Sequence, residues 1–531
     1  MNRTGIIRAA IAVVMTASGL VGATSAGGAP SAVAAARFLE QASWGATPAS
    51  VADVQQLGFA AWLTQQMDPA KTPPSTIPPV SVDAKGNTSL RPVQDAFFAN
   101  AVGGTDQLRQ RVAFALAQIW VVSGVKLRPE AIQPFLKLLQ TDAFATYDKI
   151  MYDVTVSPAM GHYLDMVNNN KPTPGHGADE NYAREVLQLF TIGLFQLDWS
   201  GNVKIDPTTG QPIPTYTQDT IEGFANIFTG WTYAPKAGAN SKFPNPANWD
   251  APMVPFDANH APGAKALLNG QVVNNGTGPG VAVKDLEDAL SNIFNHPNVA
   301  PFISRQLIQH LVTSSPSPAY VKNVADVFTQ TQGDMKAVIK AVLLDPEARA
   351  GDDGVTESVS GHLSEPVLFI NALLRELNAS VAASNNLTNN ASLLGQTIFY
   401  PPTVFNYFSP SYQIQITGSS PPATANAPEF ELLSGASAQT RADFVNSVAF
   451  GKIGGVTVDL LSYITPLGTK PSPAQIERML QGLDTALLGG RMTSDMHDTV
   501  LTAVQAATTP KAMVQTAVYL IGSSWPYQVQ R

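Results

Sequence analysis

The chain contains no cysteine. That excludes structural disulfides, thiolate nucleophiles, cysteine-bound zinc, iron–sulfur clusters and a lipid-modified cysteine. Charge is scarce as well: Asp, Glu, Lys and Arg make up 14% of the 531 residues, against 44% hydrophobic. Such a chain is not a disordered polyelectrolyte and can bury a sizeable core. There is no run of basic residues, and the formal net charge is −8. A surface of that sign repels phosphate backbones, so nucleic acid is not an expected partner. No apolar stretch reaches the ~20 residues a helical membrane span requires, so no stable span is expected. Several motifs are also missing: H-E-x-x-H, the Glu-x-x-His pair of di-iron bundles, the EF-hand loop, G-x-x-x-x-G-K, a G-x-G-x-x-G after a strand, and G-x-S-x-G. No cofactor and no dedicated metal site are therefore expected.

What is present begins with an export pattern. Arg3 and Arg8 form a positive start, Ala9 to Val21 a short apolar stretch, and small-residue cleavage sites follow at Thr24-Ser25-Ala26 or Ala32-Val33-Ala34. Residues 1–34 read as a signal peptide, which places the protein in the periplasm or the medium. Its removal deletes two arginines and no acid, leaving a balance of −10.

Beyond it, helical patterns dominate. Thr105-Asp106 opens a helix whose Leu108, Val112, Leu116 and Trp120 share one face until Gly124. Thr217 opens another through Ile221, Phe224 and Phe228. His296-Pro297 precedes a third with Phe302, Leu307 and Leu311 on its apolar side; His296 reads as a helix-start residue, and His310 as core or surface. Pro473–Leu488, Asp495–Ala507 and Lys511–Ile521 give a helical C-terminal region. Strand signals are few: Leu267-Leu268-Asn269-Gly270-Gln271-Val272 reads as a tight hairpin. Residues 200–216 and 234–264 read as long loops, and 412–428 as a linker or exposed flap. The expected fold is mainly α, a large multi-helix globular unit over 35–531 with one or two minor β-hairpins. Sub-domains are expected near 35–230, 231–411 and 429–531.

The densest polar stretch runs from Asp165 to Glu185. It holds Asp165, Asn168, Asn169, Asn170 and Lys171, then a Pro/Gly loop with His176, then Asp179, Glu180, Asn181, Tyr182, Arg184 and Glu185 at a helix start. Helical spacing sets Glu180 and Arg184 on one face, with Asn181 and Glu185 in the next row. Asp179 as a cap and Glu180–Arg184 as a structural ion pair explain these residues without function. The functional reading makes Glu180 and Asp165 acid/base partners, with His260 contributing from a long loop as a proton shuttle. Arg184, Asn181, Tyr182, Glu185, Asn169 and Trp231 would bind substrate. Two carboxylates suit glycoside hydrolysis, and Tyr, His, Arg and Asn suit β-elimination from a uronic acid. Asp165, Glu180, Glu185 and His260 would form a mixed metal site only if folding gathered them. Trp231 also reads as a core residue at a helix end. Tyr400-Pro401-Pro402 with Phe405-Asn406-Tyr407-Phe408 reads as core wall, or alternatively as a pocket rim.

Ordered segments along the chain carry a resemblance. They are Arg37-Phe38-Leu39-Glu40-Gln41-Ala42 with Trp44-Gly45-Ala46-Thr47, Arg109-Gln110-Arg111-Val112-Ala113-Phe114-Ala115-Leu116, and Ser157-Pro158-Ala159-Met160 with Tyr163-Leu164-Asp165-Met166. Next come Glu180-Asn181-Tyr182-Ala183-Arg184-Glu185, Thr229-Gly230-Trp231, His296-Pro297-Asn298 and the terminal Tyr527-Gln528-Val529-Gln530-Arg531. From about residue 37 to the end the chain resembles the bacterial family called domain of unknown function 1800. The resemblance implies a large, often exported protein with no established general activity. It also implies genes often adjacent to those of an exported sulfatase-like family, hence a partner or a shared polymer substrate. Two expectations follow. One is an exported enzyme, a glycoside hydrolase or polysaccharide lyase acting on an extracellular polymer or small saccharide. The other is a non-catalytic envelope protein that binds or assembles an exported, sulfatase-like partner.

Overall fold

Apolar residues at helical spacing, headed by a proline or a hydroxyl, set most of the elements. In the computed structural model, which describes residues 29–354, 361–416 and 423–530, these runs become helices. The Leu108–Trp120 stripe forms Gln107–Ile119, with Asp106 at its N-cap and Trp120 at its C-cap. Thr217 caps Gln218–Ile227, and the helix after His296-Pro297 is Val299–Leu311. The C-terminal set is Pro473–Leu488, Ser494–Gln505 and Pro510–Gly522. Thr493 and Thr509 each accept a first-turn N–H, and Ser472 with Gln475 forms a capping box, devices that satisfy otherwise unpaired donors. The described residues hold 23 α-helices and only short strands. The protein is mainly α.

The strands pair only in twos, as six two-stranded sheets. Three of these join distant segments that no local pattern announces: Trp231–Thr232 with Val254–Pro255, Ser380–Val381 with Val456–Thr457, and His362–Leu363 with Val529–Gln530. The turn at Asn269-Gly270 takes the expected positive φ values, 57° and 71°. Its ladder lies further out than the sequence pattern placed it, pairing Lys265-Ala266 with Val272-Val273. Segment 412–428, expected as a linker or flap, carries an antiparallel pair, Gln413–Ile416 with Ala423–Asn426. The Gln-Ile-Gln-Ile alternation is the strand signal there, and neighbouring Gly and Pro obscured it.

Of the segment expected to be removed on export, residues 1–28 lie outside the described residues. Residues just beyond them lead into Ala32–Ala42, whose N-cap Ser31 accepts the Ala34 N–H at 3.1 Å. Ala34, Ala35 and Ala36 are buried.

Buried apolar side chains form two clusters. The first draws on residues from Ala35 to Ala348; the second joins Trp44, Phe98 and Phe114 to residues from Val367 to Tyr527. Helix Gln107–Ile119 serves both, sending Leu108, Val112, Leu116 and Ile119 into the first and Phe114 into the second. The long buried helix Pro366–Glu376 ties the chain ends together. Arg375 donates to Gly45 O at 2.8 Å and to Val102 O at 2.7 Å. Gly45 sits at φ 126° with Ala372 Cα 2.7 Å from where a Cβ would stand, so no larger residue fits there.

At the same joint Tyr527 donates to Glu376 Oε2 at 2.7 Å. Burial pushes the Glu376 carboxyl well above the usual carboxylate range; Glu40 adds to this, while the Tyr527 bond, Arg491 and Arg375 oppose it. A raised carboxyl binds its proton more tightly in the folded state, so stability falls as pH rises above the unfolded value of about 4.3. Denaturant unfolding at several pH values checks this. Glu376→Gln is expected to flatten the decline between pH 4.5 and 7.5 relative to wild type, whereas parallel curves would contradict the assignment.

Candidate functional site

The polar stretch 165–185 folds as a loop followed by the short helix Asn181–Glu185, which runs on into a π-helical turn, Val186–Thr191. Asp165 is exposed and left-handed, φ 60°, a backbone state that Asp and Asn tolerate best after Gly. It pairs with Lys126 at 2.9 Å and accepts Asn181 Nδ2 at 3.0 Å. Glu180 pairs with Arg184 at 2.8 Å and accepts Gln218 Nε2 at 3.0 Å. Asn169 clamps the backbone of Asp179, accepting its N–H at 3.0 Å and donating to its carbonyl at 3.1 Å. Asp179 Oδ1 in turn accepts the Asn181 N–H at 2.9 Å.

Tyr182 is buried, its hydroxyl 2.7 Å from Thr155 Oγ1, and burial raises its pKa well above the usual phenol value. Trp231 is buried in the first cluster. Glu185 differs from its neighbours: burial raises its carboxyl, against the pull of Arg184, and Oε2 has no partner. The structure thus brings Asp165 and Asn181 together and sets Glu180 with Arg184. It keeps Tyr182 and Trp231 in the core.

His260 is oriented elsewhere. Its loop adjoins the 165–171 loop, since Lys171 N donates to Asn259 O at 2.9 Å. The ring itself is buried, with Nδ1 2.9 Å from Thr229 O and Nε2 3.0 Å from Asp285 Oδ2. Asp285 also takes Lys265 Nζ at 2.7 Å and Asn275 Nδ2 at 2.6 Å. Burial alone would raise this carboxyl, but bonds from Lys265, His260 and Asn275 outweigh it and hold it below the ordinary value. Asp285 and Lys265 are almost fully buried, so this is an internal ionic knot.

A cleft on another part of the fold gathers the remaining chemistry. With its open mouth it spans about 540 Å³ and is lined by Gln118, Gln306, Gln309, His310, Asn406 and Glu429, with aromatic walls from Phe405 and Phe408. Of these, Phe405, Asn406 and Phe408 belong to the stretch read in the sequence as core wall or alternatively as a pocket rim. Three segments meet at Glu429, one of its lining residues. Residues 312–315 follow helix Val299–Leu311, the strand His362–Leu363 is held by Val529–Gln530, and Glu429 lies in the 3₁₀ turn Pro428–Leu432. Thr313 Oγ1 donates to Gly361 O at 3.1 Å, and Gly361 N donates back to Thr313 Oγ1 at 3.0 Å, locking the first loop to the second.

Glu429 is 4% exposed. Its Oε1 lies 3.2 Å from His362 Nδ1, and its Oε2 accepts the Ser314 hydroxyl at 2.9 Å. Burial pushes this carboxyl up, but the His362 hydrogen bond and charge, its own N–H and Ser314 together hold it below the ordinary value. Glu429 is therefore ionised. Donating from Nδ1 leaves His362 Nε2, which is buried and has no partner. The glutamate, not the histidine, is central in this Ser–Glu–His chain, so Ser314 uses its proton on the carboxylate and is not an activated nucleophile. His310, in the cleft wall, is driven down to about 4, chiefly by burial, and is a neutral ring at pH 7.

Behind the wall stands a second carboxylate. Glu365 is fully buried, accepts Gln118 Nε2 at 3.0 Å and is also bound by Gln396. Burial and the charge of Glu429 push it up, against Gln396, Gln118 and Arg111. Arg111 is buried over the Trp44 ring and donates to His310 O at 3.0 Å; burial lowers it to about 10, still cationic at neutral pH. The two carboxyls are thus displaced in opposite directions, Glu365 by burial and Glu429 by its hydrogen bonds and the charge of His362. Among the described residues no group of three or more His, Cys, Asp or Glu side chains is placed to hold a metal ion. No helix among them is long and apolar enough to cross a membrane.

The family described as protein of unknown function (DUF1800) matches residues 37–529. The chain belongs to this family. No curated relative and no solved structure matches it. In this member of the DUF1800 family, sequence reasoning passed over His362, Glu365 and Glu429. Two signals mark them: an acid directly before Pro366 in His362-Leu363-Ser364-Glu365-Pro366, and an acid directly after a proline in Pro428-Glu429. Neither is strong, because the partners lie far apart in sequence.

Proposed function

We propose that this DUF1800 protein is an exported hydrolase of an acylated, uncharged saccharide, with Glu429 as the general base. The carrying observation is a buried carboxylate on the wall of a cleft, oriented by His362 and Ser314. The lining points to the substrate class. Amides and phenyl rings suit hydroxyl-rich, neutral rings, and no lysine or arginine lines the cleft to hold a uronate. Hydrolysis is therefore favoured over elimination.

The bond attacked follows from where the acids lie. Glu365 is bound behind the wall, so no protonated carboxyl faces the cleft to protonate a glycosidic leaving group. A carbonyl needs none at the first step. Water adds to the carbonyl carbon while its proton passes to Glu429, and the oxyanion meets amide donors. Gln306 Nε2 is one such donor, buried in the wall without a partner. The C–O bond then breaks, and Glu429 returns the proton to the departing saccharide oxygen. The test is release of acid from acetylated xylan and of 4-nitrophenol from 4-nitrophenyl acetate, with Glu429→Gln alongside. Activity lost in the variant supports the reading, and equal rates or an inactive wild type overturn it.

Export carries its own expectation. Cleavage after Ala34 would remove the Ser31 cap and the start of a buried helix, whereas cleavage after Ala26 leaves both. N-terminal sequencing of the exported protein is expected to begin at Gly27; a start at Ala35 would contradict this.

A second reading, docking to an exported partner, is favoured by one observation. Leu194, Phe195, Val203 and Ile205 are all exposed on the bridged 194–214 meander.

A further inference from the structure

One face of helix Gln107–Ile119 is only partly buried at Gln110, Ala113 and Ala117, with Phe114 of the second cluster beside them. Gln110, Ala113, Phe114, Ala117 and Gln118 recur at helical spacing along it. Two further spaces lie against this face, of about 580 Å³ and 410 Å³. They share Phe114, Ala117, Leu136 and Phe399 as common walls. The second of them shares Gln118 and Asn406 with the Glu429 cleft. The three spaces thus follow one another along the helix for about 12 Å, from Gln110 to Gln118.

The lining changes along the row. At the Gln110 end the polar groups already bond one another. Gln110 Nε2 donates to Asp106 Oδ1 at 2.8 Å and to Asn100 O at 3.1 Å, and Gln140 Nε2 donates to Ser75 O at 2.8 Å. They ask for no polar ligand. The middle is Val93, Phe97, Phe114, Phe135, Leu136 and Ile398. The other end is the carboxylate and amides of the cleft. Between them Phe399 holds a left-handed backbone, φ 68°, a state that bulky residues rarely adopt. Its carbonyl accepts Gly124 N at 2.9 Å, which fixes the ring-bearing residue at the junction.

We propose that this trench binds an unbranched alkyl or acyl chain whose polar head occupies the Glu429 cleft. The placing of the head rests on the hydrolase reading; the binding of the chain does not. The row of spaces is apolar in its middle, carries satisfied polar groups at one end and adjoins a cleft lined by amides and phenyl rings at the other. That sequence of linings matches an amphiphile, an acyl chain on an uncharged sugar.

The test uses n-alkyl β-maltosides with hexyl to dodecyl chains, below their micelle-forming concentrations, titrated against the whole protein by calorimetry. Affinity is expected to rise about fourfold per added methylene until the trench is full. Ala117→Phe, which places a ring at the shared wall, is expected to remove most of this chain-length dependence. Ala113→Leu is expected to truncate it at shorter chains, and it serves if the first variant does not fold. Glu429→Gln is expected to keep the chain-length dependence. Affinity independent of chain length, or unchanged in both trench variants, would overturn the proposal. Loss of ester hydrolysis in Glu429→Gln with no chain-length dependence would sink the trench and leave the hydrolase; the reverse pattern would do the opposite.

Discussion

Glu429→Gln is expected to lower kcat for ester hydrolysis by about 10²–10⁴, the range a positioned general base supplies. Gln keeps the shape, with its oxygen accepting from one of Ser314 and His362 and its NH2 donating to the other once that hydroxyl or ring switches role, so the fold is expected to persist. The pH profile gives a second readout. A base must be unprotonated, and Glu429 sits below the ordinary carboxylate value. The rate is therefore expected to be level at neutral pH and to fall only below about pH 4.5, the usual glutamate range. His362→Ala removes the donor that holds the carboxyl down. In that variant the acid limb is expected to move to higher pH while part of the plateau rate survives, which a merely structural histidine would not produce.

Asp285→Ala is expected to destabilise the protein by about 3–5 kcal/mol, measured by denaturant unfolding. Removing one member of a buried ion set strands the others, and Lys265 is 2% exposed with no second carboxylate within salt-bridge distance. The double replacement Asp285→Leu with Lys265→Met is expected to cost less than the single one, because it leaves no unpaired charge. The pH dependence has a defined sign. Asp285 is lowered on folding, so its stabilisation is complete above the unfolded value of about 3.9 and is lost as pH falls through the folded value. Equal stability of Asp285→Ala and wild type at pH 7 would show that the knot contributes nothing.

Local grammar was legible. Helices with strong periodicity and a polar or proline start, such as Gln107–Ile119 and Pro473–Leu488, fall where the pattern places them. So does the positive-φ turn at Asn269-Gly270. Strand pairs such as His362–Leu363 with Val529–Gln530 were not legible, because two residues carry no periodicity and the partner is more than a hundred positions away.

Residue density marks one candidate region and three-dimensional packing another. The 165–185 stretch is rich in polar side chains, yet their partners are mostly local: Glu180 with Arg184, Asn169 with Asp179, Asp165 with Asn181. His260 looked like a free loop imidazole, but hydrophobic closure around Asp285 turned it inward. The cleft residues are sparse in sequence. Gln118, His310, His362, Asn406 and Glu429 each sit among apolar neighbours and converge only when helices and cross-chain strands pack. The aromatic stretch at 405–408 was the one segment whose pocket-rim reading pointed to that place.

The most direct measurement compares two isosteric variants side by side on 4-nitrophenyl acetate. Glu180→Gln changes a half-exposed carboxylate paired four residues away on its own helix face, and is expected to keep the wild-type rate. Glu429→Gln is expected to lose at least a hundredfold with its unfolding midpoint nearly unchanged. A fall in the first with full activity in the second would contradict the assignment of the cleft.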